Sequence, residues 1–372
     1  MSRVFSLFGL LDWSLLIGVV TLTSMGLVAI YGIGISQDPA QLFPFYKQLV
    51  AAGIGFIVMT LLTILDYRHV RSLSVVLYLA GATLLLLVAI FGQTVNGTRG
   101  WFHVAGLSFQ PVEIGKLTLV AYLAALLARS GRGQLSWKLF GLSGAATAIY
   151  AALVMLQPDF GSTMVMCATW GILCLFKGLP KRAWIILPLV LLIGTSLLWS
   201  FGLKPYQRAR ITTFLHPSED LRGASYNAAQ ARIAIGSGGL FGKGIGEGSQ
   251  ARLRFLPEAA TDFMFAVLGE EWGFVGVVVI LSLFGLILWR YIAIAHGSGD
   301  DFATLLLIGL GGILFVHVTV NTGMNLGVMP VTGIPLPFLS AAASYMTVTF
   351  VSVGCAESVA VRRRGSTESM GA

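Results

Sequence analysis

A glycine-rich, basic stretch, IAIGSGGLFGKGIGEGSQARLRFLPEAATDF (residues 233–263), is the part of this sequence best suited to chemistry. It lies between apolar runs, and Asp262 near its end opens the next apolar run. Closely spaced glycines let backbone N–H groups approach an oxyanion, and Lys243 adds a positive charge. The stretch matches neither the dinucleotide pattern GxGxxG nor the nucleotide pattern GxxxxGK[ST]. It therefore predicts either an anion site or a flexible re-entrant loop.

Asp262 has two interpretations. Aspartate and threonine both cap helix starts, so Asp262 could simply cap the next helix. Alternatively, Thr261 supplies the cap, and the Asp262 carboxylate is left beside apolar surface as a general base. Glu270 and Glu271 come two turns later in the same apolar run. At least one of these two is expected to face protein or water, because a charge facing lipid is costly.

Glu113 and Lys116, in QPVEIGK, open another apolar run. At positions i and i+3 they share one face of a helix and are expected to form an ion pair. One interpretation is a structural pair that holds helices together. The other is that Lys116 faces a cavity and binds phosphate, with Glu113 orienting it.

Asp159, in MLQPDFGST, follows Pro158. It either caps the next helix from a turn between two spans or holds a carboxylate over a central outer cavity. Further along, Arg208 and Arg210 in KPYQRARITTFLHPSED predict an amphipathic segment on the membrane surface. Arg210 is a candidate for binding an anionic substrate.

The composition places these residues in a membrane. Hydrophobic residues are 56% of 372, charged residues are 11%, and the mean hydropathy is +0.83, which indicates a polytopic membrane protein. Runs of about 20 apolar residues cross a bilayer as helices. The sequence predicts an all-α fold with about ten of them. They are 13–34, 46–65, 72–92, 111–130, 138–157, 160–177, 183–201, 262–290, 302–325 and 336–361.

The distribution of Lys and Arg predicts the orientation. With both termini in the cytoplasm, the short outer loops hold only Lys47 and Arg99. The inner segments then hold Arg3, Arg68, Arg71, Arg129, Arg132, Lys138, Lys177, Lys181, Arg182, Arg290 and Arg362 to Arg364. The large loop 202–261 is therefore expected outside, on the periplasmic or extracellular face, where ATP is absent.

One transmembrane domain is predicted over residues 1–364, with a disordered cytoplasmic tail over 365–372. The net charge of +8 reflects the inner bias and the outer loop. It favours anionic membrane lipids as partners and, without a cytoplasmic basic domain, argues against nucleic acid.

Several long motifs, in order along nearly the whole chain, resemble the SEDS family (shape, elongation, division and sporulation). They are QPVEIGK, YQRARITTFLHPSED, NAAQARIAIGSGGLFGKGIGEGSQ, LRFLPEAATDFMFAVLGEEWGF and MPVTGIPLPFLS. FLPE and PVTGIPLPF look like the elongation branch, the RodA type, rather than the division branch.

The resemblance implies ten transmembrane helices and a peptidoglycan glycosyltransferase that polymerises lipid II during cell elongation. It implies work in the bacterial inner membrane with a class B penicillin-binding protein and other elongation proteins. The family's essential aspartate falls at Asp262, and its glutamate–lysine pair falls at Glu113 and Lys116. A divalent cation, Mg²⁺ or Mn²⁺, is compatible with the family, whereas no nucleotide or organic cofactor is expected. The metal ligands stay unassigned.

The chain departs from the family at two places. The family usually continues PFLS with YGGSS, whereas this chain has Ala341, Ala342 and Ala343 in place of Tyr-Gly-Gly. Alanine removes backbone freedom there, which questions the role of this helix start in the active cavity. The family's usual histidine before Thr261 is Ala260 here, so catalysis should not need a histidine at that place.

These observations favour inverting glycosyl transfer at the outer face, with Asp262 as general base. Lys116, Arg210 and Lys243 are expected to stabilise the departing pyrophosphate. A lipid-II flippase or transporter would use the same polar groups without making a bond, and a non-catalytic scaffold of the elongation machinery is a third reading. A transporter needs polar access from both faces, whereas the unusual polar residues here concentrate on the outer side.

Overall fold

The computed structural model describes most of the chain. The described residues are 9–37, 39–95, 97–104, 107–131, 133–185, 188–189, 194, 205–215, 224–253 and 255–371. Within these ranges, 9 helices are long and apolar enough to cross a membrane. This confirms the all-α polytopic fold. Of the predicted span 183–201, only residues 183–185, 188–189 and 194 are described.

The helices and strands are numbered here in chain order. The first half of the chain has α1 (Trp13–Ile35), α2 (Phe43–Ile64), α3 (Tyr67–Ser72), α4 (Ser74–Phe91), β1 (Gln93–Val95), β2 (Thr98–Val104), β3 (Leu107–Phe109), α5 (Pro111–Leu127), α6 (Trp137–Met155) and α7 (Phe160–Lys177). The second half has α8 (Pro205–Leu215), α9 (Ala224–Ser237), α10 (Ser249–Arg252), α11 (Met264–His296), α12 (Asp301–Leu326) and α13 (Ala343–Gly371).

Local sequence signals set several helix starts. The side chain of Asp12 accepts a hydrogen bond from the N–H of Leu15 and caps α1. Ser136 caps α6 through the N–H of Leu139. A proline occupies the first turn of α5, where a missing N–H costs nothing. These residues set where the helices begin, which the apolar sequence inside each span does not determine.

The chain divides into two compact units. The first comprises residues 1–67, 216–298 and 317–372. In it, α2 packs on α13, and α11 packs on both α1 and α9. At one end of this unit, the Arg290 guanidinium pairs with the buried carboxylate of Asp12. The Asp12 N–H donates to the carboxylate of Glu357 at 3.0 Å, so this network ties α1 to α11 and α13.

The second unit comprises residues 68–215 and 299–316. Its helices α4, α5, α6 and α7 pack against one another. Between α4 and α5 lies a small antiparallel sheet of order β1-β2-β3, which the sequence did not predict. Arg99 in β2 pairs with Thr94 and donates to the carbonyls of Gly92 and Ile90 at the end of α4. It thereby satisfies carbonyl groups that a helix end leaves free.

The helix α11 is broken inside its 33 residues. Gly273 has φ of +67° and ψ of −166°, which no helical residue adopts. The predicted single span over 262–290 is therefore two helical pieces joined at a glycine. Such a break is tolerated at membrane depth only where other parts of the protein satisfy the freed backbone groups.

The last helix differs from its predicted bounds at both ends. α13 starts at Ala343 rather than at residue 336, because residues 336–342 are not helical and contain a turn over 337–339. It continues to Gly371, so the structure has helix where a disordered tail over 365–372 is predicted.

Candidate active site

Asp262 lies in a tight turn that leads into α11. The N–H groups of Thr261, Asp262 and Phe263 all donate to the carbonyl oxygen of Glu258, at 3.1, 3.1 and 3.2 Å. Glu258 has φ of +55°, a left-handed conformation that closes the turn. Asp262 is half-buried. The turn therefore fixes the backbone of Asp262 while leaving part of the residue accessible.

The start of α11 is not capped in the expected way. The cap position belongs to Phe263, which makes no side-chain cap hydrogen bond. The Thr261 hydroxyl instead donates to the carbonyl of Glu258 at 3.2 Å and to its carboxylate at 2.9 Å. The expectation that Thr261 supplies the cap is therefore wrong. Asp262 does not occupy the cap position either, so the interpretation of it as a simple cap loses its support.

Two buried asparagines hold the backbone of this turn from α12. The side-chain amides of Asn321 and Asn325 donate to the carbonyl oxygen of Asp262 at 3.0 and 3.2 Å. The Oδ1 atom of Asn325 accepts from the N–H of Ala266 at 3.2 Å. Both asparagines are 0% exposed. The N–H of Ala266, in the first turn of α11, is thus shared between this asparagine of another helix and the carbonyl of Phe263 at 3.0 Å.

The segment before α13 holds the same turn from another side. The Ser340 hydroxyl donates to the carbonyl of Thr261 at 2.6 Å, and the Ala341 N–H donates to the carbonyl of Ala260 at 2.7 Å. The side chain of Gln48 in turn donates to the Ser340 carbonyl at 2.8 Å. The backbone of the turn that carries Asp262 therefore accepts hydrogen bonds from two distant stretches of the chain, α12 and the segment before α13.

These contacts explain how the chain accommodates its departure at Ala341, Ala342 and Ala343. None of the three has a positive φ, so no position here requires glycine. Ala341 contributes its N–H to the Asp262 turn, and Ala343 opens α13. The alanines therefore keep the helix start in place beside the turn.

The glycine-rich stretch is folded onto α11 through two buried carboxylates. Glu270, which is 0% exposed, accepts hydrogen bonds from the Lys243 ammonium at 2.7 Å and from the Ser249 N–H and hydroxyl at 2.9 Å each. Glu271, which is 2% exposed, accepts from the N–H of Gly246 at 3.0 Å. Both glutamates face protein, which confirms the expectation for this pair.

The break at Gly273 is what seats this loop. The carbonyls of Glu270 and Glu271, freed from the helix ladder, accept the N–H groups of Lys243 and Gly244 at 3.0 Å each. In the other direction, the N–H of Phe274 donates to the carbonyl of Gly239 at 2.9 Å. The loop and the broken helix thus satisfy each other's backbone groups, and the stretch is an ordered loop held on α11 rather than a flexible one.

Lys243 keeps some capacity to bind a ligand. Its ammonium has three N–H donors, and the structure places Glu270 and Ser249 within hydrogen-bond distance of it. The side chain is 31% exposed, whereas its carboxylate partner is fully buried. Lys243 is therefore first a structural cation, with one donor and an exposed side left for an anion.

Glu113 and Lys116 form the predicted pair in α5. The Lys116 ammonium lies 2.9 Å from both carboxylate oxygens of Glu113. The side chains are 3% and 4% exposed, so the pair is shut off from bulk solvent. This geometry supports the structural interpretation of the pair. Its predicted binding of substrate stays a prediction.

Asp159 caps α7, as one interpretation predicts. Its carboxylate accepts from the N–H of Ser162 at 2.9 Å. The side chain of Gln207 in α8 donates to the carbonyl of Pro158 at 3.0 Å and anchors α8 beside this turn. Arg210 belongs to α8, while its side chain lies outside the described part of the structure.

The described residues contain no preformed metal cluster: no three His, Cys, Asp or Glu side chains among them lie close enough to hold an ion. His317 is packed, with its ring stacked on Tyr345 at 4.5 Å between centroids and its Nδ1 atom 3.2 Å from the Pro335 carbonyl.

Sequence reasoning missed Asn321 and Asn325, although a signal was available. Both lie in the apolar run HVTVNTGMNLG, four residues apart and hence on one helix face. An amide in lipid is costly, so two of them on one face indicate a buried polar contact. It also missed that Glu270 clasps the glycine-rich loop, because no spacing rule links it to a lysine 27 residues earlier.

Comparison with known proteins agrees with the resemblance found in the sequence. A family model described as "Cell cycle protein", covering FtsW, RodA and SpoVE, matches residues 7–365. Stage V sporulation protein E of Bacillus subtilis is 36% identical over 352 residues, which cover 92% of this chain and 95% of the relative. Peptidoglycan glycosyltransferase MrdB of Escherichia coli (strain K12) is 36% identical over 319 residues, 86% of each chain.

A solved structure supports the fold. It is described as "Structural coordination of polymerization and crosslinking by a peptidoglycan synthase complex". The matching chain is 34% identical, with a TM-score of 0.81 over 95% of this chain and 98% of that one. The chain belongs to the FtsW, RodA and SpoVE family of multi-pass membrane proteins, the SEDS family.

Proposed function

We propose that this peptidoglycan glycosyltransferase polymerises lipid II at the outer face of the bacterial cytoplasmic membrane, with Asp262 as its general base. The enzyme class follows from relatives such as MrdB. The observation that carries the role of Asp262 is its support: two buried asparagines hold its carbonyl, while the residue itself is only half-buried. A general base has to be both fixed and accessible to its substrate.

The proposed reaction is a single displacement. The hydroxyl oxygen of the acceptor sugar forms a bond to the anomeric carbon of the donor, and the bond from that carbon to the pyrophosphate oxygen breaks. The pyrophosphate leaves with the electron pair on its polyprenyl carrier, and Asp262 takes the hydroxyl proton. One displacement converts an α-linked donor into a β-linked product, so one base suffices and no covalent glycosyl-enzyme forms.

The departing pyrophosphate needs positive charge. Lys243 is suited to it, because its ammonium has a third donor beyond Glu270 and Ser249. Arg210 on α8 would add a guanidinium that binds phosphate in two-pronged fashion. Lys116 is paired with Glu113 and buried. It would bind the pyrophosphate only if the substrate enters the membrane-embedded part of the protein.

A divalent cation would neutralise charge on the same pyrophosphate. Mg²⁺ is commonly held by one or two carboxylates together with substrate phosphates and water, which does not require a three-residue cluster. Glu258, which shares the turn of Asp262, is a carboxylate that would hold the ion in this way. Its side chain is exposed, and its carboxylate accepts from Thr261.

We further propose a class B penicillin-binding protein as the partner that crosslinks the product. The structural relative belongs to a complex that coordinates polymerization and crosslinking. In this proposal the lipid tails of substrate lie among apolar helices, both termini face the cytoplasm, and other elongation proteins assemble on the same complex.

The experiment is polymerisation of purified lipid II by the purified protein with its partner's transpeptidase inactivated. We expect glycan chains from the parent protein and a loss of roughly 10²- to 10⁴-fold in Asp262→Asn. Asp301→Asn, which changes a half-exposed carboxylate at the start of α12, is the matched control and should stay near the parent rate. Lipid II movement across vesicles without glycan would instead identify a transporter, and neither activity would identify a scaffold.

A further inference from the structure

The start of α11 is held by an asparagine pair that no local sequence rule provides. Asn321 and Asn325, one turn apart on α12, bond to each other: the Asn325 amide donates to the carbonyl of Asn321 at 2.8 Å and to its side-chain oxygen at 3.3 Å. Asn321 also donates to the carbonyl of Ile334 at 2.8 Å. The amide groups are therefore fixed in orientation before they reach the turn of Asp262.

The pair holds the chain at Asp262 and just after it. It donates twice to the Asp262 carbonyl and accepts the N–H of Ala266, four residues later. The carbonyl is a backbone group of the residue whose carboxylate is the proposed base, and the N–H belongs to the first turn of the helix that follows it. Holding them sets the direction in which the Cα–Cβ bond of Asp262 points, since the backbone of the turn determines that direction.

The cost of this arrangement argues that it has a purpose. Both amides are 0% exposed inside an otherwise apolar helix, and buried amides in membrane spans are tolerated only when bonded. A serine, threonine or aspartate at position 263 would cap α11 locally and at lower cost. The chain has Phe263 there instead, which is 2% exposed, and the hydrogen bond to the first turn of α11 comes from α12.

We infer that Asn321 and Asn325 are positioning residues for catalysis, holding the Asp262 carboxylate at the angle needed to take the acceptor proton. The inference rests on the proposed function of Asp262. The two amides share one carbonyl, so they back each other up. Only Asn325 also accepts from the N–H of Ala266, which it shares with the carbonyl of Phe263 at 3.0 Å, and its amide bonds to Asn321 as well. The loss of Asn325 therefore breaks more contacts than the loss of Asn321 and should matter more.

The test measures kcat and KM for lipid II in Asn321→Ala, Asn325→Ala and the double variant. We expect kcat to fall about fivefold in Asn321→Ala, where one donor remains. We expect it to fall on the order of 10- to 100-fold in Asn325→Ala, since a displacement near 1 Å costs about that much. KM should stay within about twofold, because substrate binding is untouched. A rise in KM as large as the fall in kcat would overturn the inference.

A structural role predicts a different result, which two comparisons detect. Tyr291→Phe removes another buried hydrogen bond of the same unit, from Tyr291 to Ser352 at 2.9 Å. It should lower the melting temperature as much as Asn321→Ala does, with kcat near the parent value. In an Asp262→Asn background, Asn325→Ala should leave the residual rate unchanged, because there is no base to position. A further fall in that background, or asparagine variants that fail to fold, would overturn the inference.

The outcomes separate this inference from the proposed function. If the parent protein makes no glycan, or if Asp262→Asn remains active, the proposed function fails. If Asp262→Asn is inactive while the asparagine variants keep the parent kcat, the proposed function stands and only the positioning role fails.

Discussion

The Lys243 ammonium lies 2.7 Å from the carboxylate of Glu270, and the two partners differ in burial: Glu270 is fully buried, whereas Lys243 is 31% exposed. This asymmetry predicts unequal costs when the pair is broken. Removing the lysine leaves a buried carboxylate without its cation, whereas removing the carboxylate leaves a lysine that can turn to water.

We therefore expect Lys243→Met to destabilise the protein by about 3 kcal/mol and Glu270→Gln by about 1 kcal/mol. The variant with both changes should be more stable than Lys243→Met alone. The melting temperature of the detergent-purified protein measures this order.

The matched control is the exposed pair of Arg252 and Glu247, whose nitrogen and oxygen atoms are 3.6 Å apart with side chains 56% and 67% exposed. Arg252→Met should change stability by less than about 0.5 kcal/mol. Equal melting temperatures for Lys243→Met and Glu270→Gln would contradict the unequal roles of the two partners.

Gly273 tests the break in α11. A Cβ atom there would lie 2.3 Å from the Gly242 nitrogen and 2.7 Å from the Leu240 carbonyl oxygen, at a φ of +67°. Gly273→Ala should therefore expel residues 238–248 from the break and expose Lys243 to trypsin. In the same helix, Gly285 has nothing within 4 Å of its Cβ position, so Gly285→Ala should be neutral or stabilise by up to about 1 kcal/mol. A Gly273→Ala protein as stable and as protease-resistant as Gly285→Ala would refute the seating of the loop.

For the Glu113–Lys116 pair, unlike the Lys243–Glu270 pair, we expect the loss of either partner to cost about the same. Both side chains are nearly inaccessible, at 4% and 3%. Glu113→Gln and Lys116→Met should each lower the free energy of unfolding by about 3–5 kcal/mol, because each leaves a lone buried charge. The folded yield of each should fall accordingly. The double variant should recover part of the loss. Gel-filtration yield and melting temperature decide; unaffected single variants would show a water-exposed pair and strengthen a ligand-binding role for Lys116.

Asp159 offers a direct choice between a cap and a chemical group. Asparagine caps helices about as well as aspartate does, so a capping role predicts that Asp159→Asn keeps both stability and activity. Asp159→Ala should cost about 1 kcal/mol, since the N–H of Ser162 then loses its acceptor. If Asp159→Asn folds normally but loses polymerisation, the carboxylate has a role beyond the cap.

Local features of this chain were predictable from sequence. The bounds of α7, residues 160–177, follow from an apolar run that starts after Pro-Asp. The Glu113–Lys116 contact follows from i, i+3 spacing on a helix. In both cases the information lies within a few residues along the chain.

Other features depend on contacts between distant segments, and hydropathy does not detect them. The break at Gly273 lies inside a predicted span, and hydropathy does not distinguish this glycine from one at an ordinary helix position. Asn325 meets Asp262 across 63 residues. Most of the seventh predicted span and the side chain of Arg210 fall outside the described residues, so those expectations stay predictions.

The orientation of the chain is testable at a site that the structure identifies. Ser249 is a poor choice for a labelling cysteine, because its hydroxyl bonds to buried Glu270. Glu247, 67% exposed in a weak surface pair, tolerates replacement better. With the native cysteines replaced, the bias of Lys and Arg predicts that Glu247→Cys reacts with an impermeant thiol reagent on intact spheroplasts. Arg182→Cys, at an exposed residue of a predicted inner segment, should react only after lysis. The reverse pattern would place residues 202–261 in the cytoplasm, away from any acceptor strand, and would remove the basis for glycan synthesis at the outer face.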